Sequence, residues 1–146
     1  MRDVLGIFVI SRALVLFIGY LSNLVIIKGE YFNRPFTPRS LLDLFFRWDS
    51  GWYLNIAKSG YSYIQGQQSS VNFFPLYPTL INFFSFSFFD SKLIGFILSN
   101  LFLLLAGIYL YKLVKLEFKN PDLAYKAVFY LMIFPTSFFF STPYTE

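Results

Sequence analysis

The stretch VLGIFVISRALVLFIGYLSNLVII, residues 4–27, decides the fold of this chain. Arg12 is its only charged residue. A helix rises about 1.5 Å per residue and the hydrocarbon core of a bilayer is about 30 Å thick, so the stretch is long enough to cross it. A signal peptide would have a shorter apolar part and end in small residues, whereas Ile26 and Ile27 run directly into Lys28. The sequence therefore predicts a retained transmembrane helix.

The composition also indicates a membrane protein. Hydrophobic residues make up 56% of the chain, aromatic residues 23% and charged residues 14%, and the mean hydropathy of +0.55 is outside the usual range of a soluble domain. The chain has no Cys and no His, which excludes disulfides, thiol chemistry, the usual zinc sites and Ser-His-Asp triads within it. Acid-base chemistry must therefore use carboxylates, Tyr or Lys. The net charge of +4 is scattered between apolar runs, so nucleic-acid binding is not expected.

Three further apolar runs set the predicted topology. Residues 93–114 and 124–140 are expected to span the membrane, while 73–89 is a re-entrant or a spanning helix because Pro75 and Pro78 interrupt its first turns. The lysine-rich loop 112–126 is expected to be cytoplasmic. If the N-terminus is cytoplasmic as well and 73–89 does not cross, Asp49 and Glu146 share the extracytoplasmic side. If 73–89 does cross, Glu146 lies on the opposite face from Asp49.

The segment RWDSGWYLNIAKSGY, residues 47–61, follows the first span and is the candidate reaction centre. Its first part belongs to a predicted amphipathic helix over residues 40–58, with Ser40 as the N-terminal cap and apolar positions at spacings of three and four. A pair of Trp residues suits the boundary between membrane and water. We expect this helix to lie on the membrane surface.

Asp49 is the leading candidate for a catalytic base. Apolar neighbours favour the neutral form of a carboxyl group and make its anion a stronger base, and Asp49 is flanked by Trp48, Trp52 and Tyr53. Two plainer interpretations stay open: the carboxylate faces water on a helix surface, and the aromatic residues anchor the helix in the membrane. Glu146 is either a carboxylate at a helix start or a second active-site acid.

Two polar residues lie inside the apolar runs. Arg12 would cost about 2.5–3.5 kcal/mol at the centre of a span. We expect its side chain to extend to the nearby cytoplasmic surface, and a pairing role within the membrane is the alternative. Asn100 is expected to form hydrogen bonds between helices.

Three motifs, RWDSGWYLNIAKSGY, NFFPLYP and FPTSFFFSTPYTE, alternate in this order with the apolar runs. Together they resemble the N-terminal part of the PIG-V-type mannosyltransferases, the family of GPI mannosyltransferase 2 and its bacterial relatives. The resemblance covers nearly the whole chain. It implies an all-α polytopic membrane protein, the N-terminal part of a transmembrane helix bundle of the GT-C class of glycosyltransferases.

The resemblance implies transfer of a sugar, usually mannose, from a polyprenyl-phosphate donor to a hydroxyl of a glycolipid or glycan acceptor. The reaction would invert the anomeric centre on the extracytoplasmic or lumenal face, without a cofactor or a metal ion. By the same resemblance, Asp49 is the general base and Glu146 the acid of the Tyr-Thr-Glu motif. The expected substrate-binding residues are aromatic: Trp48, Trp52, Tyr53, Tyr77 and Tyr144.

Members of this family are several times longer, so the chain is expected to be an N-terminal fragment that need not be active alone. Two alternatives stay open: a non-catalytic membrane subunit or transporter fragment, and a GT-C relative that transfers an oligosaccharide. The bias toward Phe, Ile and Lys favours the plasma membrane of a microbe. A eukaryotic member would reside in the endoplasmic reticulum membrane.

Overall fold

A computed structural model describes residues 2–25, 41–46, 48–85 and 90–144. Every regular element within these ranges is helical, which confirms the predicted all-α membrane protein. The α-helices are α1 (Arg2–Val25), α2 (Ser50–Ser59), α3 (Leu76–Phe84), α4 (Ser91–Phe118) and α5 (Pro121–Ile133). Three 3₁₀ helices lie between or after them, at Leu41–Phe45, Ser70–Asn72 and Pro135–Ser141.

Two helices in the described ranges are long and apolar enough to cross a membrane, within α1 at Val4–Ser22 and in α4 at Ser91–Phe118. A third candidate consists of α5 and the 3₁₀ helix Pro135–Ser141, whose axes differ in direction by 78°. The predicted span at 124–140 is therefore not one continuous helix. Pro135 lacks an N–H and disfavours the helical backbone in the residue before it, and Phe134 accordingly has φ −54° and ψ 138°.

The predicted helix at 40–58 is also interrupted. The 3₁₀ helix Leu41–Phe45 comes first, and α2 begins only at Ser50. Trp48 lies between them with φ +49°, a left-handed backbone that an α-helix of L-residues cannot contain. Residues 40 and 47 are outside the described ranges, and the location of this segment on the membrane surface stays a prediction.

The helix within 73–89 is shorter than predicted. In the described residues, α3 begins after Pro75 and has nine residues, about 13 Å at about 1.5 Å per residue. This is less than half of the roughly 30 Å hydrocarbon core. Residues 86–89 lie outside the described ranges, so the choice between a re-entrant and a spanning segment remains a prediction.

Two clusters of buried apolar side chains share α4. In the first, α4 packs against α1 and α5 through Val4, Ile7, Leu103, Val128 and Met132. In the second, α4 packs against α2 and α3 through Tyr53, Ala57, Tyr77, Ile81 and Leu98. The long helix α4 therefore joins the candidate spans to the segment that carries the candidate reaction centre.

Arg12 does not extend to a surface, so the interpretation based on snorkelling is wrong. Its side chain is 7% exposed and forms hydrogen bonds with the chain around the end of α5. The prediction for Asn100 is confirmed, because its side-chain oxygen accepts a hydrogen bond of 2.9 Å from Ser141.

Candidate active site

The first motif contacts the second through aromatic rings. The ring of Tyr53, on α2, makes edge contacts with Phe73 and Tyr77 at centroid distances of 5.1 and 5.6 Å. The indole of Trp52 stacks on Phe73 as well, at 5.8 Å. Favourable aromatic pairs have centroids about 4.5–7 Å apart, so these contacts hold α2 against the start of α3.

The first motif contacts the third motif through Trp48. Its indole lies 6.2 Å from the ring of Phe138 and 5.4 Å from that of Phe139, on the 3₁₀ helix Pro135–Ser141. Phe139 in turn lies 5.9 Å from Tyr144. The residue next to Asp49 is thereby linked to Tyr144 of the third motif.

The second and third motifs meet on α4 through buried hydroxyl groups. The Tyr77 hydroxyl lies 2.6 Å from Ser99 Oγ and 2.8 Å from the Gly95 carbonyl oxygen, and Ser99 Oγ donates to the Thr142 carbonyl at 2.9 Å. Burial raises the pKa of Tyr77 to about 12, so its hydroxyl stays protonated and able to donate. The structure thus uses Tyr77 to join the motifs, and its contact with substrate stays a prediction.

The chain before Asp49 is fixed to the start of α4. Lys92 Nζ forms an ion pair with Asp43 at 2.7 Å, and the rings of Phe45 and Phe96 have centroids 5.0 Å apart. Ser50 Oγ donates to the Phe45 carbonyl at 3.4 Å. Asp49 is therefore held between a 3₁₀ helix anchored on α4 and the start of α2.

Asp49 occupies the cap position of α2 without using its carboxylate as a cap. Its backbone carbonyl accepts the N–H groups of Trp52 and Tyr53 at 2.9 and 3.3 Å. The side chain is half-buried and, among the described residues, accepts no hydrogen bond and forms no ion pair. A carboxylate in this position can accept a proton from a bound molecule.

The predicted aromatic site residues within the described ranges form two groups. Trp48 and Tyr144 both contact Phe139, while Trp52, Tyr53 and Tyr77 are joined through Phe73 and each other. Asp49 lies between Trp48 and Trp52 in the chain, at the cap position of α2. Glu146 lies outside the described residues. Sequence reasoning missed Ser99, the bridging residue on α4. Its signal was the pair Gly95 and Ser99, two small residues four apart in an apolar span, a pattern typical of close helix packing.

The arrangement combines a half-buried carboxylate with exposed and partly exposed aromatic faces at the start of a candidate span. Aromatic faces suit the C–H faces of a sugar ring, while the carboxylate suits a hydroxyl group that loses a proton. Trp48 is 65% exposed and is thus accessible to a bound molecule.

Comparison with known proteins gives one family. The family described as Mannosyltransferase (PIG-V) matches residues 1–146, the whole chain and all three motifs. No curated protein and no solved structure matches the chain. The chain belongs to the PIG-V family of mannosyltransferases.

Proposed function

We propose that this protein is a multi-pass membrane enzyme that transfers a mannosyl residue from a polyprenyl-phosphate donor to a hydroxyl group of a glycolipid or glycan acceptor. The observation that carries the proposal is the Asp49 carboxylate, half-buried and without a partner in the described part of the chain. It lies between Trp48, which contacts the third motif, and Trp52, which contacts the second. Membership of a mannosyltransferase family supports mannose as the sugar.

In the proposed reaction, Asp49 takes the proton of the acceptor hydroxyl as its oxygen attacks the anomeric carbon. The bond between that carbon and the phosphate oxygen breaks, and polyprenyl phosphate leaves with the bonding electrons. This single displacement inverts the anomeric configuration. A positioned general base contributes typically about 10²–10⁴-fold to the rate.

A lipid-linked donor suits a site at the end of a candidate span, because the prenyl chain can remain in the hydrocarbon while the sugar phosphate reaches the site. We place the reaction on the extracytoplasmic face of the plasma membrane, or on the lumenal face of the endoplasmic reticulum membrane in a eukaryote. Glu146 follows Tyr144 by two residues and is proposed as a second acid; this assignment rests on the sequence motif alone.

The test is the Asp49→Asn variant of the complete protein, assayed with polyprenyl-phosphate mannose and with other polyprenyl-phosphate sugars. We expect transfer to fall by about 10²–10⁴-fold, because asparagine cannot take up the proton. The product of the wild-type enzyme should have the opposite anomeric configuration to the donor.

Asp90→Asn is the matched control. Asp90 also precedes a helix, α4, where it accepts the N–H of Lys92 at 3.1 Å, and asparagine is an equally good cap. Its transfer rate should equal that of the wild type. Full activity of Asp49→Asn would contradict the assignment of the base, and transfer only from a nucleotide sugar would contradict the donor.

A further inference from the structure

Arg12 is buried on α1 and makes a hydrogen bond with each of its five N–H groups. Its Nη1 atom donates to the Ser137 carbonyl and to Ser141 Oγ, each at 2.9 Å. Its Nη2 atom donates to the Met132 carbonyl at 2.8 Å and to Ser137 Oγ at 3.1 Å, and Nε donates to Ser11 Oγ at 3.3 Å. Four of the five acceptor atoms belong to the chain between the end of α5 and the end of the third motif's 3₁₀ helix.

These acceptors lie where the backbone changes direction. Because α5 ends at Ile133, the Met132 carbonyl is one of the last four of its helix and has no partner further along it. Backbone groups without partners are costly in a membrane, and a cation at the C-terminal end of a helix is favourable. The guanidinium therefore stabilises the 78° break between α5 and the 3₁₀ helix Pro135–Ser141.

The same hydrogen bonds are connected to the candidate active site. Ser141 Oγ, which accepts from Arg12, donates to Asn100 on α4 at 2.9 Å. Between Ser137 and Ser141, the 3₁₀ helix presents Phe138 and Phe139 to the indole of Trp48. Arg12 thus fixes the surface on which the residue before Asp49 rests.

We propose that Arg12 is a positioning residue for the transfer reaction: from the first span it holds the broken third span so that Phe139 supports Trp48 beside Asp49. The catalytic meaning of this role rests on the proposed function. Lysine cannot replace Arg12 fully, because an ammonium group has three donors in place of five and no planar fork.

The proposal is testable by fluorine NMR of the complete protein labelled with 5-fluorotryptophan. Trp48 and Trp52 are the two tryptophans of residues 1–146, and Trp48→Phe and Trp52→Phe variants assign their resonances. Trp48 reports the contact with the 3₁₀ helix, while Trp52 stacks on Phe73 and reports a separate contact. We expect Arg12→Met to shift the Trp48 resonance in the same direction as Phe139→Leu does and to leave the Trp52 resonance in place. Arg12→Lys should give a smaller shift.

Kinetics supply the second measurement. Misplacement of a reacting group by about 1 Å can cost about 10²-fold in rate, so Arg12→Met should lower kcat by up to that factor while KM changes little. Lys112→Met is the control, since it also removes a cation from a candidate span but contacts Tyr109 on its own helix. It should change neither resonance and leave kcat at the wild-type value.

An unchanged Trp48 resonance in Arg12→Met would overturn the proposal, and so would a shifted resonance with an unchanged kcat. If Arg12→Met fails to insert in the membrane, the Ser137→Ala/Ser141→Ala variant removes two of the acceptors and must produce the Trp48 shift; its absence would also overturn the proposal. Asp49→Asn separates the two hypotheses. This variant should leave the Trp48 and Trp52 resonances at their wild-type positions. Full transfer by it would contradict the proposed function, while the NMR result for Arg12 would still stand.

Discussion

At the scale of single residues, Trp48 carries the strain of the site. It has φ +49°, and a bulky residue with a left-handed backbone costs about 1–3 kcal/mol. Such outliers persist where the surroundings hold them in place, and they concentrate at functional sites. Here the rings of Phe138 and Phe139 hold the indole, and the same backbone conformation delays the start of α2 until after Asp49.

Trp48→Asn should separate stability from activity. Asparagine tolerates the left-handed backbone, so the relief of strain opposes the loss of ring contacts, worth about 0.5–1.5 kcal/mol. We expect the Tm in detergent to stay within a few degrees of the wild-type value, while transfer falls at least about tenfold, a loss of about 1.4 kcal/mol of transition-state stabilisation. Differential scanning fluorimetry and the donor assay measure the two effects. A Tm so low that the variant unfolds at the assay temperature would explain the lost transfer by instability and would contradict this separation.

The sequence could propose Asp49 and its aromatic neighbours as site residues because they are adjacent in the chain. It could not identify the acceptors of Arg12 around the end of α5, which are separated from it by 120 to 129 residues. Nothing in the local pattern distinguishes an arginine that extends to a surface from one that binds the end of another helix. That distinction depends on how α1 and α5 pack.

At the scale of elements, the two predicted helices that proved discontinuous differ in how visible the break is in the sequence. Pro135 ends α5, and this signal was present in the sequence. The break before α2 has no such marker, because Trp48 is not a residue whose type favours a positive φ. Hydrophobic periodicity continued across the break before α2, since the 3₁₀ helix Leu41–Phe45 also buries an apolar side chain, Phe45. After α5 the buried side chains of the 3₁₀ helix are those of Ser137 and Ser141.

Gly95 allows the second and third motifs to approach α4. A Cβ atom at this position would lie 3.4 Å from Pro143 and 3.5 Å from Ile81. Gly95→Ala should therefore be accepted, whereas Gly95→Leu should displace Pro143 and lower the stability by about 1–3 kcal/mol through overpacking. Thermal unfolding should show reduced stability, and the donor assay reduced transfer, for Gly95→Leu and not for Gly95→Ala.

Gly6→Leu is the matched control for that substitution. Gly6 is also inside an apolar helix, α1, but a Cβ atom added to it would meet no neighbouring group of the described residues within 4 Å. The added side chain enters open space there, so stability and transfer should be retained. Equal losses in Gly6→Leu and Gly95→Leu would show that helix packing in general, and not the approach of the two motifs, causes the effect.

At the scale of the whole molecule, α4 runs in the opposite direction to the segment formed by α5 and the 3₁₀ helix that follows it. Met132 lies beside Gly107, while Pro143 lies beside Gly95, nearer the start of α4. Trp48 contacts the same 3₁₀ helix that leads to Tyr144. The first and third motifs thus meet at the N-terminal end of α4, and the lysine-rich loop 112–126 begins at its other end. Both motifs therefore lie toward the same end of α4, as the predicted topology requires, and their extracytoplasmic location stays a prediction.

Single cysteines in a cysteine-free background of the complete protein can test that topology directly, and residues 1–146 contain no cysteine to remove. We choose Gln67→Cys, in the loop after α2, Lys119→Cys, after α4, and Thr145→Cys, after the third motif's 3₁₀ helix. A membrane-impermeant thiol reagent applied outside intact cells should label Gln67→Cys and Thr145→Cys and leave Lys119→Cys unlabelled, because the lysine-rich loop is expected in the cytoplasm. Permeabilised cells, in which all three sites must react, are the control. Labelling of Lys119→Cys together with protection of Thr145→Cys would mean that residues 73–89 cross the membrane, and Glu146 could then take no part in the chemistry at Asp49.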